Sequence, residues 1–178
     1  MTERTKFQQL LADQITNEFA ASQQYTAIAV YYDNEDMPQL AQHFYEQAVE
    51  ERNHAMMIVQ YFLDRGQAVE IPGVESPRNS FGDFIEPIKL ALEQEQEVTE
   101  QIVNLARVAR DDGDYLGEQF MQWFLKEQVE EVATMTTLLT IAERAKGNVF
   151  DVESFVEREV NGTTAQDVAA PAAAGGNL

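Results

Sequence analysis

Four long stretches of this chain are almost free of proline and glycine, and they limit its fold more than any other feature. They cover residues 5–32, 38–65, 83–110 and 114–146. At a rise of 1.5 Å per residue, stretches of about 28 to 33 residues form helices of roughly 40–50 Å. The chain has no β-type alternation of useful length, so the pattern predicts an all-α protein.

The connections between these stretches predict how the helices are arranged. The first and third connections are short, which makes the helices on either side antiparallel neighbours. The second covers residues 67–82, includes Pro72 and Pro77, and spans about 50 Å when extended. It can therefore return along the whole bundle and make the second and third helices parallel. The predicted fold is an up-down-down-up four-helix bundle with one long crossover.

The C-terminal part of the chain differs from the four long stretches. A shorter amphipathic stretch over residues 151–160 predicts a short fifth helix. The residues that follow are rich in alanine, threonine and glycine, which is typical of a flexible tail. We therefore predict one bundle domain over residues 1–160, including the fifth helix, and a flexible tail over residues 161–178.

Charge and cysteine content narrow the possible functions. The chain has 31 Asp and Glu against 12 Lys and Arg, a formal net charge of −19. This charge disfavours nucleic acid as a partner and favours cations. The lack of cysteine excludes a disulfide scaffold, a thiolate zinc site and an iron–sulfur cluster. The chain has no signal-like N-terminus and no long apolar segment, so we expect a soluble cytoplasmic protein that does not bind membranes.

Each long stretch carries acidic residues near the middle of its inward-facing apolar seam. A helix midpoint keeps its level in a bundle whichever way the helix runs, so these carboxylates are expected to meet in one layer. His54 lies one turn from the acidic position of the second helix and joins this layer. The acidic seam positions are Glu18, Glu51, Glu95 and, on the fourth helix, Glu127 and Glu131.

Buried carboxylates in one layer predict a metal site. Each unpaired buried ion costs several kcal/mol, and the seams offer no cationic side chain to pair with them. The Glu51-x-x-His54 motif puts two ligands on one helical face, and carboxylates from the other helices complete a dinuclear site. Glutamate and imidazole without thiolate suit iron or manganese, and zinc can also bind. The seam pattern leaves open whether Glu127 or Glu131 supplies the ligand.

Other interpretations compete with the metal site. A single Glu is more often a solvated surface charge, and the polar layer of a purely structural bundle only fixes helix register. A di-iron or di-manganese oxidase without storage is a third alternative. Tyr25 lies two turns beyond Glu18 on the same face, and it either packs in the core or acts at the site by forming a hydrogen bond to a ligand or supplying an electron. His43 lies about 16 Å along the axis from His54, which favours a structural or surface role.

Several segments together resemble the non-haem bacterial ferritins, a ferritin-like di-iron family. The resemblance covers about residues 5 to 160 and implies a ferritin-like fold. The segments are Asn17-Glu18-Phe19 with Tyr25, Glu50-Glu51-Arg52-Asn53-His54-Ala55, Glu95, Gln119-Phe120-Met121-Gln122-Trp123-Phe124, and Glu127-Gln128-Val129-Glu130-Glu131.

The resemblance implies a ferroxidase centre with a defined set of iron ligands. It selects Glu131 rather than Glu127 for the dinuclear pair. The implied groups are Glu18, Glu51 and His54 for one iron; Glu51, Glu95 and Glu131, with Gln128 nearby, for the second; and Glu50, Glu127 and Glu130 for a third.

The resemblance also implies what the whole protein does. Members of the family oxidise Fe(II) with O2 or H2O2 and store Fe(III) as mineral inside a hollow shell of 24 subunits, with the short fifth helix at the four-fold axes. Bacterioferritins place a haem-ligating Met directly after the second-helix Glu, whereas Arg52 stands there in this chain, so no haem is expected. Some ferritin-like proteins dock their tails inside a larger protein shell, but a flexible tail is the favoured interpretation of residues 161–178.

Overall fold

The computed structural model describes residues 4–162 and 168–178, and its regular elements in these ranges are all helical. This confirms the prediction of four long helices followed by a short fifth. The helices are α1 (Lys6–Asn34), α2 (Pro38–Asp64), α3 (Glu86–Asp111), α4 (Tyr115–Arg144) and α5 (Val149–Phe155), and α5 continues into a π-helical segment, Val156–Val160.

Local signals in the sequence set where these helices begin. The Thr5 side chain accepts a hydrogen bond from the Gln8 amide, and the Gln8 side chain accepts one from the Thr5 amide, so a capping box starts α1. The Asp114 side chain caps α4 by accepting a hydrogen bond from the Gly117 amide. Pro38 occupies the first turn of α2, where its missing N–H costs nothing.

Contacts between helix ends establish the topology. The Phe7 amide at the start of α1 donates to the Asp112 carboxylate beyond the end of α3. Lys89 near the start of α3 pairs with Glu143 near the end of α4, at 3.5 Å. Arg65, directly after α2, pairs with Asp114, directly before α4. Helices α1 and α4 therefore run in one direction and α2 and α3 in the other, which confirms the up-down-down-up bundle.

The long crossover between α2 and α3 is attached to α1 partway along its length. The Gln24 side chain donates to the Arg78 carbonyl and accepts from the Arg78 amide, both at 2.8 Å. The Arg78 guanidinium in turn pairs with Glu86 in the first turn of α3. These contacts lead the crossover along the bundle to the start of α3, as its predicted role requires.

Two apolar clusters fill the bundle and leave its middle to polar side chains. One cluster joins the start of α1 to the end of α2 and includes Phe7, Ile15 and Phe62. The other joins the end of α1 to the start of α2 and includes Tyr32 and Phe44. The interval between them holds the predicted acidic layer, so the packing of the core defines the level of the site.

The described part of the C-terminal segment lies against α2. The Ala174 amide donates to the Met56 carbonyl at 3.0 Å, and the Leu178 amide donates to Asn53 Oδ1 at 3.3 Å. Ala173 and Ala174 are buried there. Flexibility of the tail stays a prediction, and residues 163–167 of that tail lie outside the described residues.

Among the described helices, none combines the length and the apolar character that a membrane span requires.

Candidate metal centre

Each of the four long helices contributes one buried glutamate to the polar layer. The exposed fraction is 1% for Glu18 on α1, 3% for Glu51 on α2, 2% for Glu95 on α3 and 6% for Glu131 on α4. His54 on α2 is equally buried. Carboxylates are almost never buried in this way without a partner, so the negative charge of this layer must be neutralised.

Three of these side chains converge closely enough to hold one metal ion. His54 Nδ1 lies 3.4 Å from Glu51 Oε2 and 4.0 Å from Glu18 Oε2. One ligand atom from each of the three residues lies within 4.8 Å of the others. The aromatic rings of Trp123 and Phe124 pack edge-on against the His54 ring, at centroid distances of 5.4 and 5.8 Å. These rings hold the imidazole in place from the α4 side.

A second group of ligand atoms lies beside the first and shares His54. It joins His54 to Glu50 and Glu127, again within 4.8 Å, and both glutamates are half-buried. Glu130, the third member that the resemblance implies, has a 62% exposed side chain that pairs with Lys126 at 3.5 Å. The structure therefore brings Glu50 and Glu127 together and leaves Glu130 at the surface.

Glu95 is oriented by two neutral donors. The Tyr25 hydroxyl donates a hydrogen bond to its carboxylate, and Gln128 Nε2 donates to Glu95 Oε2 at 3.0 Å. Burial, with the nearby charge of Glu95, raises the pKa of Tyr25 well above its usual value, so the hydroxyl keeps its proton and remains a donor. Tyr25 is thus both a core residue and a hydrogen-bond partner of a predicted ligand.

The two candidate glutamates of α4 have different environments. Glu131 is buried, and its pKa is raised by burial first and then by the charges of Glu50 and Glu95. Glu127 is only half-buried and belongs to the group around Glu50. Of the two, Glu131 therefore lies deeper in the layer that the seam pattern predicts.

The layer is electrostatically unfavourable in the absence of a cation. Burial raises the pKa of Glu18 and of Glu51 well above the usual value. The charge of Glu51 raises the pKa of Glu18 further, and the charge of Glu95 does the same for Glu51. No lysine or arginine pairs with these glutamates within the described ranges. The donor set fits a hard or borderline metal ion such as Fe(II).

The sequence did not predict the contact of Gln14 with the site, and it left the role of His43 open. The Gln14 amide donates to Glu18 Oε1 at 2.9 Å, and its position four residues before Glu18 on the same helical face was the available signal. His43 is buried against Phe44, at a ring distance of 5.1 Å. This burial decides between the predicted structural and surface roles of His43 in favour of the structural one.

A four-helix bundle with a glutamate from every helix and a Glu-x-x-His pair at mid-height defines the class of metal-binding carboxylate bundles. The family model for ferritin, described as a ferritin-like domain, matches residues 8–145. The chain therefore belongs to the ferritin family, and its function at the family level is iron binding and storage.

Curated relatives support this assignment over nearly the whole chain. Ferritin BfrB of Mycobacterium tuberculosis is 61% identical over 175 residues, which covers 98% of this chain and 96% of that protein. Ferritin BfrB of Mycolicibacterium smegmatis is 63% identical over 174 residues, with the same coverage of both chains. A bacterial non-heme ferritin of Staphylococcus aureus is 42% identical over 134 residues, 75% of this chain and 81% of that protein.

Solved structures show the same fold at much lower sequence identity. An open pore ferritin from the hyperthermophilic archaeon Archaeoglobus fulgidus has a TM-score of 0.83. The match covers 88% of this chain and 96% of that one, at 24% identity. The likeness confirms the ferritin-like bundle independently of the close relatives.

Proposed function

We propose that this chain is the subunit of a ferritin that oxidises Fe(II) at a dinuclear centre inside each subunit. The Fe(III) is then stored as mineral inside a hollow shell of 24 subunits. The observation that supports this most directly is the buried layer of glutamates from all four helices, with His54 beside it. Metal cations neutralise such a layer, because carboxylates that lose their protons can coordinate them.

The proposed ligands divide between two iron positions that share Glu51. The convergence of three ligand atoms within 4.8 Å supports the first position, and the buried carboxylates next to them support the second. Tyr25 and Gln128 hold Glu95 in place by hydrogen bonds. The first position uses Glu18, Glu51 and His54, and the second uses Glu51, Glu95 and Glu131.

A third position beside the dinuclear centre would receive iron on its way to the shell interior. Its support is the half-buried group of Glu50, His54 and Glu127. Glu130 joins this position only by turning away from Lys126, with which it pairs at 3.5 Å. We therefore assign Glu130 to the outer end of this path.

The reaction transfers one electron from each of two Fe(II) ions to O2 or H2O2. With H2O2, two Fe(II) and two protons give two Fe(III) and two waters. With O2, two Fe(II) and two protons give two Fe(III) and one H2O2. Glutamates protonated in the absence of iron lose their protons as Fe(II) binds, because a carboxylate must be ionised to coordinate a metal. The buried carboxyl groups of Glu18, Glu51 and Glu131 therefore release protons when Fe(II) binds.

The proposal is tested by removing two ligands from one helix. The variant Glu51→Ala/His54→Ala is expected to assemble and to lose rapid Fe(II) oxidation by at least about 100-fold, since even outer partners of metal ligands are worth 10–100-fold. Stopped-flow absorbance measures this rate. The matched control is Glu100→Ala, which removes an exposed glutamate of α3 and is expected to keep the wild-type rate.

The same preparations test storage and assembly. Chains of 20.1 kDa in a closed shell of 24 give a particle of about 480 kDa, which size-exclusion chromatography with light scattering resolves. Electron micrographs of iron-loaded wild type are expected to show dense cores inside the shells. Unchanged oxidation in the double variant overturns the proposed centre, and a monomer or dimer without cores overturns the storage role.

A further inference from the structure

Three amide side chains form a closed network beside Glu18, outside the proposed ligand set. Gln14 and Asn17 lie on α1, and Gln101 lies on the facing part of α3. Gln14 is 2% exposed, and the other two are half-buried. An amide buried this deeply needs partners for its donors and its acceptor, and the network supplies them.

Gln14 is held in one orientation by its partners. Its Nε2 donates to Glu18 Oε1 at 2.9 Å and to Gln101 Oε1 at 3.1 Å, so both of its N–H groups are used. Its Oε1 accepts from Asn17 Nδ2 at 3.1 Å, and the same Asn17 nitrogen donates to Gln101 Oε1 at 3.0 Å. A flipped amide would bring its carbonyl oxygen against the Glu18 carboxylate and leave Asn17 facing an N–H group.

The two oxygens of Glu18 consequently have different roles. Oε1 is occupied by the Gln14 hydrogen bond. Oε2 is buried, has no hydrogen-bond partner among the described residues, and faces His54 Nδ1 at 4.0 Å. Oε2 is therefore the oxygen that faces a cation held between Glu18, Glu51 and His54.

We propose that Gln14 is a positioning residue that restricts Glu18 to metal binding through Oε2 alone. Asn17 and Gln101 act one step further out, since they keep the Gln14 amide turned towards Glu18. This inference rests on the proposed metal centre at Glu18. The competing explanation is that the network only joins α1 to α3, in which case its loss lowers stability and leaves metal affinity unchanged.

Anaerobic titration with Co(II) tests this role without relying on oxidation activity. In the assembled protein, Gln14→Met keeps the length of the side chain and removes its hydrogen bonds. The affinity of the centre for Co(II), followed by its visible absorption, is expected to fall about 10-fold, the lower end of the effect of lost outer partners. The matched control is Gln42→Met, because Gln42 Nε2 makes the same bond to Glu46 Oε1, also at 2.9 Å and four residues apart, on the exposed face of α2. This control is expected to bind Co(II) as wild type does.

A second background separates positioning from structural support. If Gln14 acts through Glu18, Gln14→Met causes no further loss of Co(II) affinity in a Glu18→Gln chain. An equal loss in both backgrounds, or wild-type affinity in Gln14→Met with a lowered unfolding midpoint, overturns the positioning role and leaves the metal centre standing. Wild-type affinity in Glu18→Gln alone overturns the proposed ligand instead.

A variant that leaves Gln14 in place covers the case in which Gln14→Met does not assemble. Asn17→Ala removes the donor that fixes the orientation of the Gln14 amide. We expect a smaller loss of Co(II) affinity that again disappears in the Glu18→Gln chain. Wild-type affinity in Asn17→Ala contradicts the proposed role of the network.

Discussion

At the scale of single residues, Glu18 and Glu51 make the stability of the metal-free protein depend on pH. The pKa of each is raised above the ordinary 4.5, first by burial and then by neighbouring carboxylates. Above pH 4.5 the folded chain therefore binds more protons at these positions than the unfolded chain does. The free energy of unfolding of the metal-free protein consequently falls as pH rises through this window.

This linkage predicts a measurable pH dependence of stability. In chelator, the thermal unfolding midpoint of wild type is expected to fall between pH 5 and pH 7.5 relative to that of Glu18→Gln/Glu51→Gln, which carries no charge at either position. A difference of 1 kcal/mol corresponds to about 2–4 °C in melting temperature for a chain of this size. Parallel curves for the two proteins would contradict the prediction.

Added metal provides the control for this experiment. Zn(II) replaces the protons of the wild-type centre, so the wild-type midpoint is expected to rise most at pH 7.5, where the metal-free layer is least stable. The Gln variant has lost two ligands and is expected to respond weakly. An equal response in both proteins would place the bound metal elsewhere.

The sequence allowed the acidic layer to be predicted because each glutamate follows the 3.6-residue period of its own helix. It could not distinguish Glu127 from Glu131, since the two lie one turn apart on the same face of α4. Their different burial depends on how α4 is rotated against its neighbours, which periodicity does not determine. The Gln14 network could not be predicted for the same reason, because the orientation of the Gln14 amide depends on a hydrogen bond to Gln101 on another helix.

At the scale of helices, α5 supplies a cap that α2 lacks. The residue before α2 is Met37, whose side chain offers no oxygen acceptor. The two carboxylate oxygens of Glu153 on α5 instead accept from the Gln39 and Leu40 amides, both at 2.9 Å. The Asn161 side chain adds a bond to the Gln39 carbonyl. The start of α2 and the C-terminal helix therefore stabilise each other.

Removal of this cap is expected to loosen α5. Glu153→Ala leaves two amides of the first turn of α2 without an acceptor and should lower the free energy of unfolding by about 1 kcal/mol, as for other lost N-caps. Hydrogen exchange should become faster in the α5 backbone. Glu157→Ala, an exposed change on the following π-helical segment, serves as the control. Wild-type protection of α5 in Glu153→Ala would contradict the capping role.

The helices illustrate what could be predicted from local patterns and what could not. The four long helices were predictable because proline, glycine and capping residues mark their ends. The fifth was predicted as one helix over residues 151–160, whereas the structure begins α5 at Val149 and ends it at Phe155, followed by the π-helical segment Val156–Val160. These bounds depend on the contacts of Glu153 and Asn161 with α2, which no local pattern contains.

At the scale of the whole molecule, we expect the net charge to affect how Fe(II) reaches the proposed centre. The net charge of −19 far exceeds what the buried layer contributes, so most of it lies on the surface. An acidic surface raises the local concentration of cations and the rate at which they are captured. The effect depends on ionic strength, because the Debye length falls from about 30 Å at 0.01 M to about 8 Å at 0.15 M.

Salt should therefore slow the capture of Fe(II) without changing the chemistry at the centre. Between 0.01 M and 0.15 M NaCl, we expect the initial oxidation rate at limiting Fe(II) to fall by about 10-fold or more, the lower end of electrostatic steering effects. The rate at saturating Fe(II) should stay constant, since the glutamates of the centre are buried and weakly screened. Stopped-flow measurements at both Fe(II) concentrations separate the rate of Fe(II) capture from the rate of oxidation at the centre. A loss of equal size at limiting and saturating Fe(II) would show that salt acts on the centre, and the steering argument would then fail.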